Sequence, residues 1–132
     1  KNSCDILEPG DHGSTFGGNA LATAAANAAV RFMVEHDVPG NALRMGDRLS
    51  KGLERLKAAE AVTDVRGMGL LWAVEFGTEI SAAVVAACNE AGLLLNPVRP
   101  NAVRLMPPLT VSESEIDQAL DLLDTGISKA AG

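Results

Sequence analysis

From Ala20 to about Val38 the chain is rich in alanine, the strongest helix former, with leucine, phenylalanine and methionine on more than one side. That pattern predicts a helix buried around most of its circumference. Pro39 and Gly40 read as its stop and Asn41 as the start of the next helix. There Ala42, Met45, Leu49, Leu53 and Leu56 recur at three- and four-residue spacing, while Arg48, Lys51, Glu54 and Lys57 take the opposite side. Val62 to Arg66 and Leu70 to Phe76 are β-rich runs joined by Gly67-Met68-Gly69, and in the second Leu70, Trp72, Val74 and Phe76 share one face. This predicts an antiparallel hairpin. Residues 79 to 91 form a further helix with Ile80, Val84, Cys88 and Ala91 inward and Gly92 as its stop.

Leu93 to Leu95 is read as a short strand, Pro97 to Asn101 as a turn, and Val103 to Met106 as a strand closed by Pro107 and Pro108. Ser112-Glu113-Ser114-Glu115 is a capping box, and Ile116, Ala119, Leu120, Leu123 and Ile127 give the last helix its apolar stripe. Lys1 to Gly10 has no period and reads as an extended lead-in. Together the elements predict an α+β fold, a mixed or mainly antiparallel sheet covered on one face by helices.

Composition narrows the classes of function. A chain of 132 residues with 47% hydrophobic and 21% charged residues fits one soluble globular domain. A net charge of -6 and a pI near 4.8 argue against nucleic acid or an acidic membrane as a partner. No apolar run approaches the ~20 residues of a membrane span. Cys4 and Cys88 have neither zinc-site spacing nor the number a disulfide framework needs, and read as reduced thiols of a cytoplasmic protein. No metal site is expected.

Two places carry candidate chemistry. The first is the glycine-studded loop from Gly10 to Asn19, running into the helix at Ala20. Gly17 and Gly18 let the backbone bend, Asn19 is a good N-cap, and the exposed amides of a helix start attract an anion, to which Ser14 and Thr15 can add hydroxyl donors. On residue types alone this is either a phosphate site or simply a turn with a cap. The second is Arg104, inside an apolar strand on the face opposite Val103 and Leu105, where its fork matches a carboxylate two bonds at a time. The alternative is an edge-strand arginine paired with a surface acid. Gly67-Met68-Gly69 sits between strands and is not a nucleotide fingerprint, and Arg66 and Glu75 read as charges on the strand surface.

The string His12-Gly13-Ser14-Thr15-Phe16-Gly17-Gly18-Asn19 resembles a segment of the class III aminotransferases that use pyridoxal phosphate, nearest the acetylornithine members, with the ornithine members next. Val65-Arg66-Gly67-Met68-Gly69-Leu70-Leu71 and Val103-Arg104-Leu105-Met106-Pro107-Pro108-Leu109-Thr110-Val111 resemble later stretches of the same family, in the same order. Ala20 stands where the family usually carries proline. The resemblance implies the small C-terminal domain of a fold type I transferase dependent on pyridoxal 5'-phosphate, residues 19 to 132, preceded by a segment, 1 to 18, belonging to the interface of the large domain and the dimer. It implies that Thr15 reaches the cofactor phosphate across that interface, that Ser14 contacts phosphate or substrate, and that Arg104 grips the substrate carboxylate. His12, Phe16 and Asn19 are expected to be scaffolding.

The same resemblance implies an amino group passed from N-acetylornithine to 2-oxoglutarate in arginine biosynthesis, in a cytoplasmic homodimer. Ornithine, succinylornithine and 4-aminobutyrate remain alternative donors. Lys1, Lys51, Lys57 and Lys129 are the only lysines, and none stands in the family's Schiff-base lysine motif. The chain is therefore expected to be a fragment, starting at Lys1 and lacking its N-terminal large domain, with no covalently bound cofactor, no catalytic residue of its own and no activity alone. A free-standing binding or regulatory module is the competing expectation.

Overall fold

A computed structural model describes residue 8, residues 10–58 and residues 60–132. The expected lead-in at Lys1 to Gly10, and with it Cys4, lies largely outside the described residues. The chain groups into two compact units, Lys1–His36 and Asp37–Gly132.

The first unit carries α1 (Ala20–Glu35), capped by Asn19, whose side-chain oxygen accepts the Ala22 amide at 3.0 Å. The helix ends at Glu35, three residues before the expected Val38, with His36 as its C-cap, whose ring stacks on Phe32. The expectation of a helix buried around its circumference is not met: no residue of α1 is buried, and Leu21, Val30 and Val34 are among its exposed side chains. Burial needs a second surface, and α1 is the only helix or strand among the described residues of its unit.

The second unit opens with α2 (Val38–Leu56), so Pro39 does not end a helix but sits in the first turn of the next one. There its missing amide is one of those that would lack a partner anyway. Asn41, read as the start of that helix, lies in its first turn and donates its side-chain amide to the carbonyls of Leu109 and Val111 at 2.9 and 3.0 Å. Then come β1 (Val62–Met68), β2 (Leu71–Phe76), α3 (Ser81–Glu90), β3 (Asn96–Arg99), β4 (Ala102–Leu105) and α4 (Glu113–Ala131).

The four strands form one fully antiparallel sheet in the order β1-β2-β4-β3. Its inner face presents Val65, Val74, Val103 and Leu105 to Leu49 and Leu53 of α2, Val84 and Cys88 of α3, and Ile116, Leu123 and Ile127 of α4. The fold is α+β, with helices on one face, and the other face left open. The strand expected at Leu93 to Leu95 lies instead at Asn96–Arg99, overlapping the expected turn at Pro97 to Asn101. Pro97 is tolerated there because β3 is an edge strand, paired on one side only. At α4 the capping box forms in full: Ser112 Oγ accepts the Glu115 amide and Glu115 accepts the Ser112 amide at 2.8 Å.

Candidate functional site

Strand parity builds the open face. Arg66 on β1 pairs with Ala73 on β2, Ala73 with Arg104 on β4, and Arg104 with Asn96 on β3, so these four share a rung. The adjoining rung is Asp64, Glu75, Ala102 and Arg99. Cross-strand partners point to the same side of a sheet, and Val103 and Leu105 point into the core, so Arg104 stands on the open face.

Charge partners separate Arg104 from its neighbours. Arg44, Arg48, Arg66 and Arg99 each reach a carboxylate, and Arg55 donates to the Lys51 carbonyl. Among the described residues Arg104 alone of this unit's arginines has neither ion pair nor hydrogen bond. Its rung neighbour Ala73 is too small to cover it. An apolar groove lined by Leu94, Met106 and Pro107 together with Leu49, Leu105 and Ile116 lies on the helix-covered side, and Arg104 is not part of it.

Glu75 is the carboxylate of this face. Its side chain is 20% exposed and lies 2.6 Å from Arg66 Nη2 and 3.9 Å from Arg99 Nη1. The hydrogen bond from Arg66 holds Glu75 below the ordinary glutamate pKa, although desolvation opposes it. The same bond raises the Arg66 pKa. Reading Arg66 and Glu75 as separate surface charges missed this pair, and Arg99 was placed in a turn; the hairpin register was the signal that could have joined them.

In the first unit, the loop closes on itself. The Gly17 amide donates to Ser14 Oγ at 2.9 Å, and the Asn19 side-chain amide donates to the Phe16 carbonyl at 2.6 Å. Gly18 has φ +73°, a conformation that favours glycine, and a Cβ on Gly17 would meet that of Ser14 at 2.9 Å. The Ser14 hydroxyl accepts, which leaves its own proton free to donate. Among the described residues the Thr15 hydroxyl has no partner, and the Ala20 and Leu21 amides lie at the open end of the helix. His12 and Phe16 are exposed, and Phe16 contributes its carbonyl to the loop.

Elsewhere the candidate chemistry is thin. Cys88 is buried and its thiol is pushed up by desolvation, away from thiolate reactivity. The groove between α2 and α4 is lined by charges, several of them paired: Arg48 grips Asp117 with two bonds of 2.7 and 2.6 Å and Lys51 pairs with Asp47. Lys57 lies 3.4 Å from both Glu54 and Asp64. No group of residues suited to a metal ion occurs among the described residues, and no helix there is long and apolar enough to cross a membrane.

Comparison with known proteins agrees with the fold and the ordered motifs. Residues 1–127 match the model of the family described as aminotransferase class-III. The acetylornithine aminotransferase of Thermosynechococcus vestitus is 42% identical over 99% of this chain, which covers 33% of that protein. Ornithine aminotransferase 2 of Staphylococcus saprophyticus is 40% identical over 88% of this chain and 29% of its own. A crystal structure of acetylornithine aminotransferase from Elizabethkingia anophelis superposes with a TM-score of 0.82 at 34% identity, covering 96% of this chain and 34% of that one. The chain belongs to the class III aminotransferases. It spans about a third of the length of the curated relatives it matches.

Proposed function

We propose that this chain is the carboxy-terminal part of an acetylornithine-type aminotransferase, a cytoplasmic homodimer that passes the amino group of N-acetylornithine to 2-oxoglutarate in arginine biosynthesis. The observation that carries the reading is the unpartnered Arg104 guanidinium on the open sheet face, beside the small Ala73. Both substrates bring a carboxylate, which the guanidinium binds in bidentate fashion.

The loop fits the phosphate of pyridoxal 5'-phosphate. A cradle with no room for a Cβ at Gly17, the free proton of Ser14, the Thr15 hydroxyl and the open end of α1 together make a set of donors suited to an anion. Thr15 and Ser14 would hold that phosphate from across the dimer boundary, which gives residues 1–18 their place at the interface with a large domain. When bound, the cofactor supplies an electron sink at the substrate carbon that carries the nitrogen. This chain's part is to anchor and orient. Lys51 and Lys57 are tied to carboxylates, which favours a covalent lysine contributed by the large domain and a chain inactive by itself. Ornithine, succinylornithine and 4-aminobutyrate are alternative donors of the same reaction type.

In the full-length enzyme, Arg104→Lys is expected to lower kcat/KM for both substrates by about ten- to a hundredfold, the loss of one charge-assisted bidentate contact. Thr15→Val is expected to speed loss of the cofactor on dialysis, followed by its absorbance. Unchanged KM values in the first variant would remove Arg104 from the substrate site.

A further inference from the structure

Glu75 has two arginines within diagonal reach. Ala73 lies between Arg66 and Arg104 on one rung, and Glu75 is two residues along the same central strand, β2. It therefore lies diagonal to Arg66 on one flank and to Arg104 on the other, at the ~7–8 Å Cα separation that long side chains bridge. The carboxylate goes to Arg66, at 2.6 Å, with Arg99 behind it at 3.9 Å, and Arg104 is left without a partner. Asp64, the other acid of that rung, is spread between Lys57 at 3.4 Å and Arg66 at 3.8 Å.

We infer that Arg66 is a positioning residue: by holding Glu75 on the β1 side of the sheet it keeps the nearest carboxylate of this face off Arg104, and so keeps Arg104 open to the carboxylate of a substrate. The inference rests on the reading of Arg104 as the carboxylate ligand. A sheet face with a bare arginine and an unheld glutamate in reach would close on itself, and every ligand would first have to displace Glu75. Arg66 removes that competitor by offering a better partner on the edge strand β1. A bidentate contact is not required for this task; a positive charge on β1 is.

The test is calorimetric titration of 2-oxoglutarate into the full-length protein. Arg66→Gln is expected to weaken binding by about three- to tenfold, because Glu75 turns to Arg104 and a charge-assisted bond must be broken for the ligand to enter. Arg66→Lys, which keeps a charge for Glu75, is expected to bind as the parent does. Glu75→Gln in the Arg66→Gln background is expected to restore affinity to within about twofold, since the competitor is gone. Parent-like affinity in Arg66→Gln, or a double variant as weak as Arg66→Gln alone, overturns the inference; the latter would assign Arg66 a purely structural role on the edge strand. Arg104→Gln is measured alongside. Should it bind as the parent does, the carboxylate reading of Arg104 fails first and takes the inference with it, whereas loss of binding there combined with an unaffected Arg66→Gln overturns the inference alone.

Discussion

Gly46 of α2 and Gly69 in the turn between β1 and β2 meet backbone to backbone. A Cβ on Gly46 would overlap the Gly69 carbonyl oxygen and stand 2.7 Å from its carbonyl carbon. The same carbonyl accepts the Trp72 indole N–H at 2.7 Å, and Gly69 itself has φ +56°. The turn is thus pinned from two sides, and with it the end of β1 that carries Arg66. Gly46→Ala removes a helix-interior glycine, which alone would favour the fold by about 1 kcal/mol. The clash is with backbone and cannot be relieved by a rotamer, so overpacking of about 1–3 kcal/mol should win. A lower urea midpoint for the variant is the expected result.

Gly126 and Gly52 make a contrast of the same kind. A Cβ on Gly126 would approach Cys88 Sγ at 2.5 Å, and Cys88 is fully buried with its thiol turned to the Leu122 carbonyl. At Gly52 the obstacle is the methyl end of Leu120, a side chain only partly buried. Gly126→Ala should therefore cost about 1–3 kcal/mol, and Gly52→Ala should lie within about 1 kcal/mol of the parent. Adding Cys88→Ala to Gly126→Ala is expected to recover part of the loss. Thermal unfolding of the four proteins decides it.

What the sequence displayed and what it concealed differ by physical range. The hairpin, α3, the apolar stripe of α2 and the capping box at Ser112 are local patterns of period two or 3.6, and they appear where the pattern puts them. The place of Arg104 opposite Val103 and Leu105 follows from strand parity and was equally legible. The edge strand Asn96–Arg99 was not, because Leu93 to Leu95 has more apolar character and Pro97 suggests a turn. The start of α2 was hidden because a proline in a first turn and a proline after a helix look alike in sequence. Composition marked α1 for burial, yet burial depends on a partner surface that composition does not specify. The union of Arg66 with Glu75 follows from the regular register of the hairpin, in which Arg66 faces Ala73 and Glu75 lies diagonal to it, a pairing that each strand read by itself does not show.

The cap of α4 should be separable from its packing. Ser112 Oγ accepts the Glu115 amide at 3.4 Å and also donates to the Glu115 carboxylate at 2.7 Å. Removing the hydroxyl with Ser112→Ala leaves an N-terminal amide without a protein partner, a loss of about 1 kcal/mol for a cap of this type. Ser112→Asp supplies an acceptor in place of the hydroxyl, but sets a second carboxylate beside Glu115, and should fall between the two. Hydrogen exchange at the first turn of α4 would register the change before global unfolding does.

Acid should weaken the open face through Glu75 and the helix pair through Asp117. Both carboxylates have folded pKa values below their ordinary ones, Glu75 chiefly through its hydrogen bond from Arg66 and Asp117 chiefly through the bond from Arg48. A lowered folded value means that the unfolded chain binds the proton first. The stabilisation is therefore complete above the unfolded values, about 4.3 for glutamate and 3.9 for aspartate, and is lost as the pH falls through the lower folded values. The parent should show a falling unfolding midpoint below about pH 4.3, nearly flat above it as far as these two groups are concerned. Both pairs are solvent-accessible, so added salt should shrink the effect. Glu75→Gln should start from a lower midpoint at neutral pH and lose less on acidification, and Asp117→Asn should do likewise. If the acid slope were the same in the parent and both variants, these pairs would not be the origin of the acid sensitivity.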